Sequence, residues 1–210
     1  ASEYGAKKAE AAKAEQDAPP LHLGYEALLD AMSGKKVVHH HTHRHDDILT
    51  VLRLSEEFGF RVVLHHVSDA WKVADEIAAA GAGVSLISVD SPGGKLEAKD
   101  NHFKSGRMLE QAGALVGFHT DDGITDSRFF LRQAALAVRA GMSREKALFG
   151  MTLAGAEMID LDDRIGSLTP GKDADFIVLS GDPLSVYTHV QETWIDGERV
   201  FNRSNAEDRK

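Results

Sequence analysis

The chain has 210 residues, a formal net charge of -9 at pH 7 and no cysteine. This negative balance, with no basic run longer than two residues, disfavours nucleic acid and anionic membranes as partners. Without cysteine there is no disulfide framework, and a bound metal would need nitrogen and oxygen ligands. The absence of cysteine also fits a reducing compartment, so the cytoplasm is the favoured location.

The first 34 residues are predicted to be a helical segment. Residues 1–18 are rich in Ala, Lys and Glu but lack a continuous apolar face, and two prolines follow them. Residues 21–32 are predicted to form a short amphipathic helix that Gly34 terminates. Since no apolar stretch has the length of a signal-peptide core or a membrane span, we expect neither.

From residue 35 to residue 160 a unit recurs, in which a β-rich run is followed by a polar loop and a helix. This alternation predicts a parallel sheet built from βα units. The expected strands are Val37–His41, Arg61–His66, Gly83–Val89 and Ala114–Thr120. The expected helices are 47–58, Ser68 or Asp69 to Gly81, one ending at Gly113, 126–140 and 144–158.

Residues 161–203 show a different pattern, in which Asp, Gly and Pro turns separate short β-rich runs. The clearest runs are Phe176–Leu179 and Val190–Ile195, and Asp196-Gly197 is typical of a hairpin turn. We therefore expect a small β-structure here, followed by a polar tail at residues 204–210.

The most unusual stretch is KKVVHHHTHRHDD at residues 35–47, because five of its thirteen residues are histidine. An expression tag and a floppy metal-binding tract are two alternatives. However, the run is internal, follows two valines and precedes an apolar-periodic helix. We interpret it as the carboxyl end of a buried strand, in which His39, His41 and His43 share one face.

Polar residues also end the neighbouring strands, at the edge where parallel α/β sheets place their ligands. Alternation predicts that Val62, Leu64 and His66 share a face of the second strand, and that His119 and Asp121 share a face of the fourth. Imidazoles and a carboxylate that meet at one sheet edge are typical of zinc, iron or manganese sites.

Two other features leave alternatives open. A Ser-His-Asp triad is the competing catalytic interpretation, but the sequence has no G-x-S-x-G elbow. The loop at residues 90–94, DSPGG, is equally consistent with a substrate-selecting rim of the site and with a plain surface turn.

These strand ends, together with IGSLTPGKDADFIVLSGDPL and the closing WIDGERVF, resemble the amidohydrolase superfamily. The imidazolonepropionase-like and prolidase-like members are the nearest subgroup. The most specific part is Gly166–Pro183, whose G-x-L-x-P-G-K-x-A-D motif marks where that family's chain leaves the barrel. The resemblance implies an α/β fold: the C-terminal half of a (β/α)8 TIM-type barrel with part of a small β-sandwich domain.

Carried over residue by residue, the resemblance implies that His41, His66 and Asp121 bind one or two divalent metal ions, with zinc expected. His43 would contact the substrate, and Asp121 would also take a proton from the attacking water and pass it to the leaving group. The implied activity is metal-dependent hydrolysis of a C–N amide bond in a small molecule or dipeptide. A catalytically incomplete half-barrel with a structural or binding role is one alternative, and a deaminase is another.

Two parts of the family pattern are absent from these 210 residues: the first-strand HxH pair and the metal-bridging residue of the fourth strand. Four barrel strands are expected here, whereas a complete barrel takes roughly 250 residues. A half barrel leaves two strand edges and one interior face uncovered. We therefore expect a companion N-terminal chain or self-association through those edges.

Overall fold

The computed structural model describes residues 1–88 and 94–209 of the chain. Its helices are α1 (Ser2–Lys13), α2 (Leu23–Met32), α3 (His45–Phe58), α4 (Ala74–Ala79), α5 (Ser105–Ala112), α6 (Phe130–Arg139), α7 (Arg144–Gly150) and α8 (Leu153–Met158). Its strands are β1 (Val37–Thr42), β2 (Arg61–His66), β3 (Gly83–Leu86), β4 (Leu115–Phe118), β5 (Phe176–Leu179), β6 (Val190–Ile195) and β7 (Glu198–Asn202). Among these helices, none combines the length and the apolar character needed to cross a membrane.

The first sheet is parallel and has the order β1-β2-β3-β4. Thr42 at the end of β1 pairs with His66 at the end of β2, which in turn pairs with Leu86 at the end of β3. The carboxyl ends of the strands therefore align at one edge, as expected for consecutive βα units. The predicted α/β fold class is confirmed. Within the described residues, β1 and β4 each have a neighbouring strand on one side only.

The core lies between this sheet and the helices that follow its strands. Ile48 and Leu52 recur at helical spacing on α3 and are buried together with Leu64 of β2. Gly59 ends α3 with a φ of 70°, a left-handed conformation that glycine adopts without steric cost. The sequence predicted this helix at residues 47–58, and the observed helix starts two residues earlier, at His45.

Several predicted elements are shorter than expected or divided. The helix expected at 144–158 consists of α7 and α8, separated at Thr152, whose φ of -134° and ψ of -97° are not helical. The helix expected at 126–140 starts with a 3-10 turn at Ser127–Phe129 before α6 begins. β3 ends at Leu86 instead of Val89. The loop at 90–94, predicted as a site rim or surface turn, lies outside the described residues except for Gly94.

Either Ser68 or Asp69 was predicted to start the helix after β2, but the side chain of Asp69 stabilises the start of α3. Its side chain accepts no hydrogen bond from a backbone N–H of the 3-10 turn Ala70–Lys72 that follows it. Its Oδ2 atom accepts a hydrogen bond from the backbone N–H of His45 at 3.1 Å and lies 2.9 Å from Nδ1 of the same residue. Because His45 is the first residue of α3, Asp69 links the loop after β2 to the loop after β1.

Glycines allow α7 and α8 to pack closely on the sheet. A Cβ atom on Gly150 would lie 2.8 Å from the backbone oxygen of Val116, so only glycine permits α7 to approach β4 this closely. Cβ atoms on Gly83 and Gly117 would lie 3.2 Å and 3.3 Å from side-chain atoms of Met158. Met158 is itself buried, so α8 covers part of the sheet face to which these two glycines belong.

The second sheet is antiparallel and has the order β5-β6-β7. Asp196 and Gly197 connect β6 to β7 with φ angles of 50° and 76°, the positive values that a tight hairpin turn requires. The rings of Phe176 and Trp194 stack with centroids 5.5 Å apart across β5 and β6. The predicted small β-structure and its hairpin are confirmed. The division of the chain into a domain at residues 35–160 and a second at 161–203 stays a prediction.

Candidate metal centre

Three histidines converge at the carboxyl edge of the parallel sheet: His41, His43 and His66. Each offers a ring nitrogen, and these nitrogens all lie within 4.8 Å of one another. His43 and His66 are buried, whereas the side chain of His41 is 52% exposed. In the part of the chain that the structure describes, no other group of three His, Cys, Asp or Glu side chains has metal-binding spacing.

The backbone of β2 explains how His66 reaches this group. The register pairs His41 with His65, not with His66, so His65 shares the strand face of His41. The prediction that Val62, Leu64 and His66 share a face is wrong, because Val62 and Leu64 pack in the core with the helices while His66 lies with His41 and His43. His66 instead has a φ of 70°, which breaks the strand alternation at its last residue.

His43 lies just beyond the end of β1 and is 6% exposed. Its Nδ1 atom lies 2.8 Å from the hydroxyl oxygen of Ser68. Its Nε2 atom is buried and has no hydrogen-bond partner among residues 1–88 and 94–209. A buried polar atom without a partner costs about 1–3 kcal/mol, so this nitrogen is well placed for a ligand that the protein alone does not supply.

Two carboxylates border the three histidines. Asp121, predicted from the sequence, has its Oδ2 atom 3.9 Å from Nδ1 of His66. Glu97 was not predicted, yet its Oε1 atom lies 3.7 Å from Nε2 of His41 and 3.8 Å from Nε2 of His43. The structure therefore brings His41, His43, His66 and Asp121 together as the sequence suggested, and adds Glu97.

The sequence reasoning missed Glu97 because it lies outside the strands, in a 3-10 turn after β3. Lys95 comes from the same segment and lines a small cavity with His43, His66 and Asp121. The remaining lining residues are Ile87, Ala98 and Ile124. The cavity volume of about 40 Å³ is enough for water or a small functional group.

Two further polar side chains adjoin the group from the sheet itself. His119 follows β4, and its Nε2 atom lies 3.0 Å from Nδ1 of His66. Its Nδ1 atom lies 2.9 Å from the hydroxyl oxygen of Ser85 on β3. The sequence marked His119 as a strand-end residue, but only the parallel register shows that Ser85 stands beside it.

Burial favours the neutral form of His43, His66 and His119. Burial, reinforced by the neighbouring imidazoles, lowers the pKa of His66 to about 3. Burial likewise lowers the pKa of His119 to about 4 and holds that of His43 below its ordinary value. A neutral imidazole keeps a lone pair for a metal ion, which a protonated ring does not.

The donor set fits a divalent cation. Neutral imidazole nitrogens with adjacent carboxylate oxygens are the ligand types that zinc binds in proteins without cysteine. The Nε2 atom of His43, buried and without a partner among the described residues, indicates that this edge is built to hold a further group.

Comparisons with known proteins identify relatives of this chain. The amidohydrolase family model matches residues 30–200. Amidohydrolase tasK of Hapsidospora irregularis is 28% identical over 187 residues, covering 87% of this chain and 19% of that protein. Imidazolonepropionase of Deinococcus radiodurans is 29% identical over 157 residues, covering 65% of this chain and 39% of that protein.

Among solved structures, an amidohydrolase from Thermotoga maritima MSB8 superimposes with a TM-score of 0.90 at 35% sequence identity. The match covers 96% of this chain and 53% of that chain. The chain thus spans about half of this structural relative and less than half of both curated relatives.

Proposed function

Because this chain belongs to the amidohydrolase family, we propose that it carries the metal-binding edge of a hydrolase that cleaves a C–N amide bond in a small molecule or dipeptide. The observation that supports this proposal is the convergence of three ring nitrogens, from His41, His43 and His66, within 4.8 Å of one another. Such a cluster is typical of a metal site.

We assign metal binding to His41, His66 and Asp121, with zinc as the proposed ion. When bound, a divalent cation supplies Lewis acidity, which lowers the pKa of water to about 7 and polarises a carbonyl group. His41 and His66 come from adjacent strands and Asp121 from the loop after β4, so the three hold the ion at the sheet edge.

Asp121 is also the proposed proton carrier. Its carboxylate is about half exposed and borders the cavity beside His66, so water reaches it. In this role it accepts a proton from the attacking water and later donates that proton to the leaving nitrogen. An amine is a poor leaving group unless it is protonated, which is why the reaction needs such a carrier.

His43 is the proposed substrate-binding residue. When the Ser68 hydroxyl donates to Nδ1, the neutral ring carries its proton on Nε2. That N–H group has no acceptor in the part of the chain that the structure describes, and His43 lines the cavity, so the group is available to a substrate oxygen. The bond to Ser68 would hold the ring in this orientation before substrate arrives.

We propose a layout with an N-terminal helical segment at residues 1–34, a half barrel at 35–160, a small β-domain segment at 161–203 and a tail at 204–210. The free sides of β1 and β4 would pair with a companion N-terminal chain or a second copy. The half exposure of His41 supports this, because a partner on that side of the site would cover it.

The test combines metal analysis with hydrolysis of a panel of dipeptides and small lactams, scoring ammonia release separately to detect a deaminase. We expect stoichiometric zinc and amide hydrolysis in the wild type, with hydrolysis lost in Asp121→Asn. Asp122→Asn is the matched control, because Asp122 is the adjacent carboxylate and bonds to the backbone N–H of Ser127 instead.

Bound zinc without hydrolysis above the rate in buffer would contradict the enzyme proposal and favour the half-barrel with a structural or binding role. Hydrolysis that survives in Asp121→Asn would contradict the assignment of the proton carrier.

A further inference from the structure

His119 joins a proposed metal ligand to the neighbouring strand. Its Nε2 atom lies 3.0 Å from Nδ1 of His66, and its Nδ1 atom lies 2.9 Å from Oγ of Ser85. Both distances are those of hydrogen bonds. The three side chains thus form a continuous series from β3, through the end of β4, to the end of β2.

This series constrains which nitrogen of His66 can bind a metal ion. A neutral imidazole has one N–H and one lone pair, and a metal ion takes the lone pair. Since Nδ1 of His66 is hydrogen-bonded to His119, Nε2 is the nitrogen left for the metal. Nε2 has a free lone pair only when the proton of His66 is on Nδ1, where it is donated to His119.

The same constraint then applies to His119. To accept from His66, its Nε2 atom must be unprotonated, so its own proton must be on Nδ1. The Ser85 hydroxyl oxygen is positioned to accept that proton in a hydrogen bond. Because Ser85 is buried, its hydroxyl group is stabilised more by a hydrogen bond to His119 than an exposed hydroxyl would be.

The backbone gives His119 little freedom to leave this position. Its N–H donates to the carbonyl oxygen of Leu86 at 3.1 Å, so the residue continues the pairing of β4 with β3. Ser85 and Gly117 pair directly in the register, which places His119 two residues beyond Gly117 on the same face.

We propose that His119 is a positioning residue: together with Ser85 it holds His66 in the tautomer and ring orientation that present Nε2 to the metal ion. This inference rests on the proposed function, because it takes His66 as a ligand. It adds a role for two residues outside the assigned set of His41, His43, His66 and Asp121.

The test measures zinc affinity by competition with a chromophoric chelator in four forms of the full chain. His119→Leu removes the acceptor, and we expect zinc binding to weaken by about 10–100-fold. His119→Gln places an amide oxygen near the position of Nε2, so its affinity should stay within about threefold of the wild type. His39→Leu is the matched control, because His39 contacts His65 and no proposed ligand.

A second readout reports the tautomer directly. In ¹H–¹⁵N spectra of the zinc-loaded wild type, His66 should carry its proton on Nδ1, and this proton should exchange slowly with solvent. In His119→Leu the same proton should exchange faster. If His119→Leu does not fold, Ser85→Ala replaces it, with a smaller loss of zinc affinity and the same tautomer measurement.

The outcomes separate this inference from the proposed function. Zinc binding in the wild type with equal affinity in His119→Leu would overturn the role of His119 and leave the metal site standing. Equal losses in His119→Leu and His119→Gln would also overturn it, because a hydrogen-bond acceptor would then not suffice. A wild type that binds no zinc would overturn both proposals.

Discussion

The imidazole of His43 and the hydroxyl group of Ser68 are hydrogen-bonded inside the protein, with 2.8 Å between Nδ1 and Oγ. Ser68 is fully buried and His43 nearly so. The bond connects the loop after β2 to the end of β1 and directs Nε2 of His43 towards the cavity. The site geometry therefore depends on a serine that takes no part in the proposed chemistry.

Ser68→Ala should lower the free energy of unfolding by about 1–3 kcal/mol, because it leaves the buried Nδ1 atom of His43 without a partner. Urea denaturation of the metal-free protein measures this change. Ser33→Ala is the control, since Ser33 makes an exposed bond to a backbone oxygen, and its effect should stay within about 0.5 kcal/mol. Equal effects of the two variants would contradict the importance of burial.

Zinc should raise the thermal stability of the chain, because a ligand that binds the folded state alone stabilises it. At a free zinc concentration of about 100 times Kd the gain is about 2.7 kcal/mol. His41→Ala and His66→Ala should lose this gain, and a chelator should reverse it in the wild type. His189→Ala, which removes an exposed histidine of the β5–β6 loop, should keep it. An equal zinc response in all four proteins would place the metal elsewhere.

Gly166→Ala should be more destabilising than Gly171→Ala, although both glycines have positive φ angles of 83° and 96°. A Cβ atom on Gly166 would lie 2.8 Å from Cβ of Ala156 and 2.9 Å from Cα of Leu153 on α8, whereas one on Gly171 meets nothing within 4 Å. The left-handed conformation costs about 1–2 kcal/mol in either variant. Overpacking adds about 1–3 kcal/mol for Gly166 alone, which chemical denaturation can measure. Equal losses of unfolding free energy in the two variants would mean that the loop carrying Gly166 moves away from α8 without cost.

The carboxylate of Asp69 should contribute stability that disappears in acid. Burial opposes the charged form, but hydrogen bonds from His45 and Lys72 hold the pKa of Asp69 below its ordinary value. Between that folded pKa and about 3.9 the unfolded chain binds more protons, so this stability rises with pH. It is complete above about pH 5 and is lost as the pH falls through the folded pKa.

Asp69→Asn should therefore cost about 1–2 kcal/mol at neutral pH, and the difference from the wild type should shrink as the pH drops below about 4. Urea denaturation across this pH range measures the difference. Asp17→Asn, at an exposed position near the N-terminus, should show no such trend. A penalty for Asp69→Asn that is the same at every pH would contradict the stabilising role of the charge.

The fold class was predictable because its signals are local. Apolar stripes such as Ile48 and Leu52, terminal glycines such as Gly59 and the Asp196-Gly197 turn each act over a few residues. The break between α7 and α8 was not predictable in this way. It accompanies the close contact of Gly150 with β4, which depends on residues more than thirty positions apart.

The site was predictable in part for the same reason. His41 and His43 follow from alternation on one strand, and Asp121 from its place after another. His66 lies beside His41 and His43 because of a positive φ that no residue pattern revealed, and not through strand alternation. The position of Glu97 depends on the path of the loop after β3, and that of Ser85 beside His119 depends on the register of β3 and β4. The residue pattern of a single strand predicts neither.

Hydrogen exchange at β1 should report whether another strand pairs with its free side. In a parallel strand, successive residues direct their N–H groups to opposite sides, so alternate amides of Val37–Thr42 point away from β2. Those amides should exchange quickly while their neighbours are protected, so fast and slow exchange should alternate along the strand. A companion chain or second copy that adds a strand there would slow the exchange of the fast amides and leave the others unchanged. Protection of these few amides would therefore report assembly of the barrel wall.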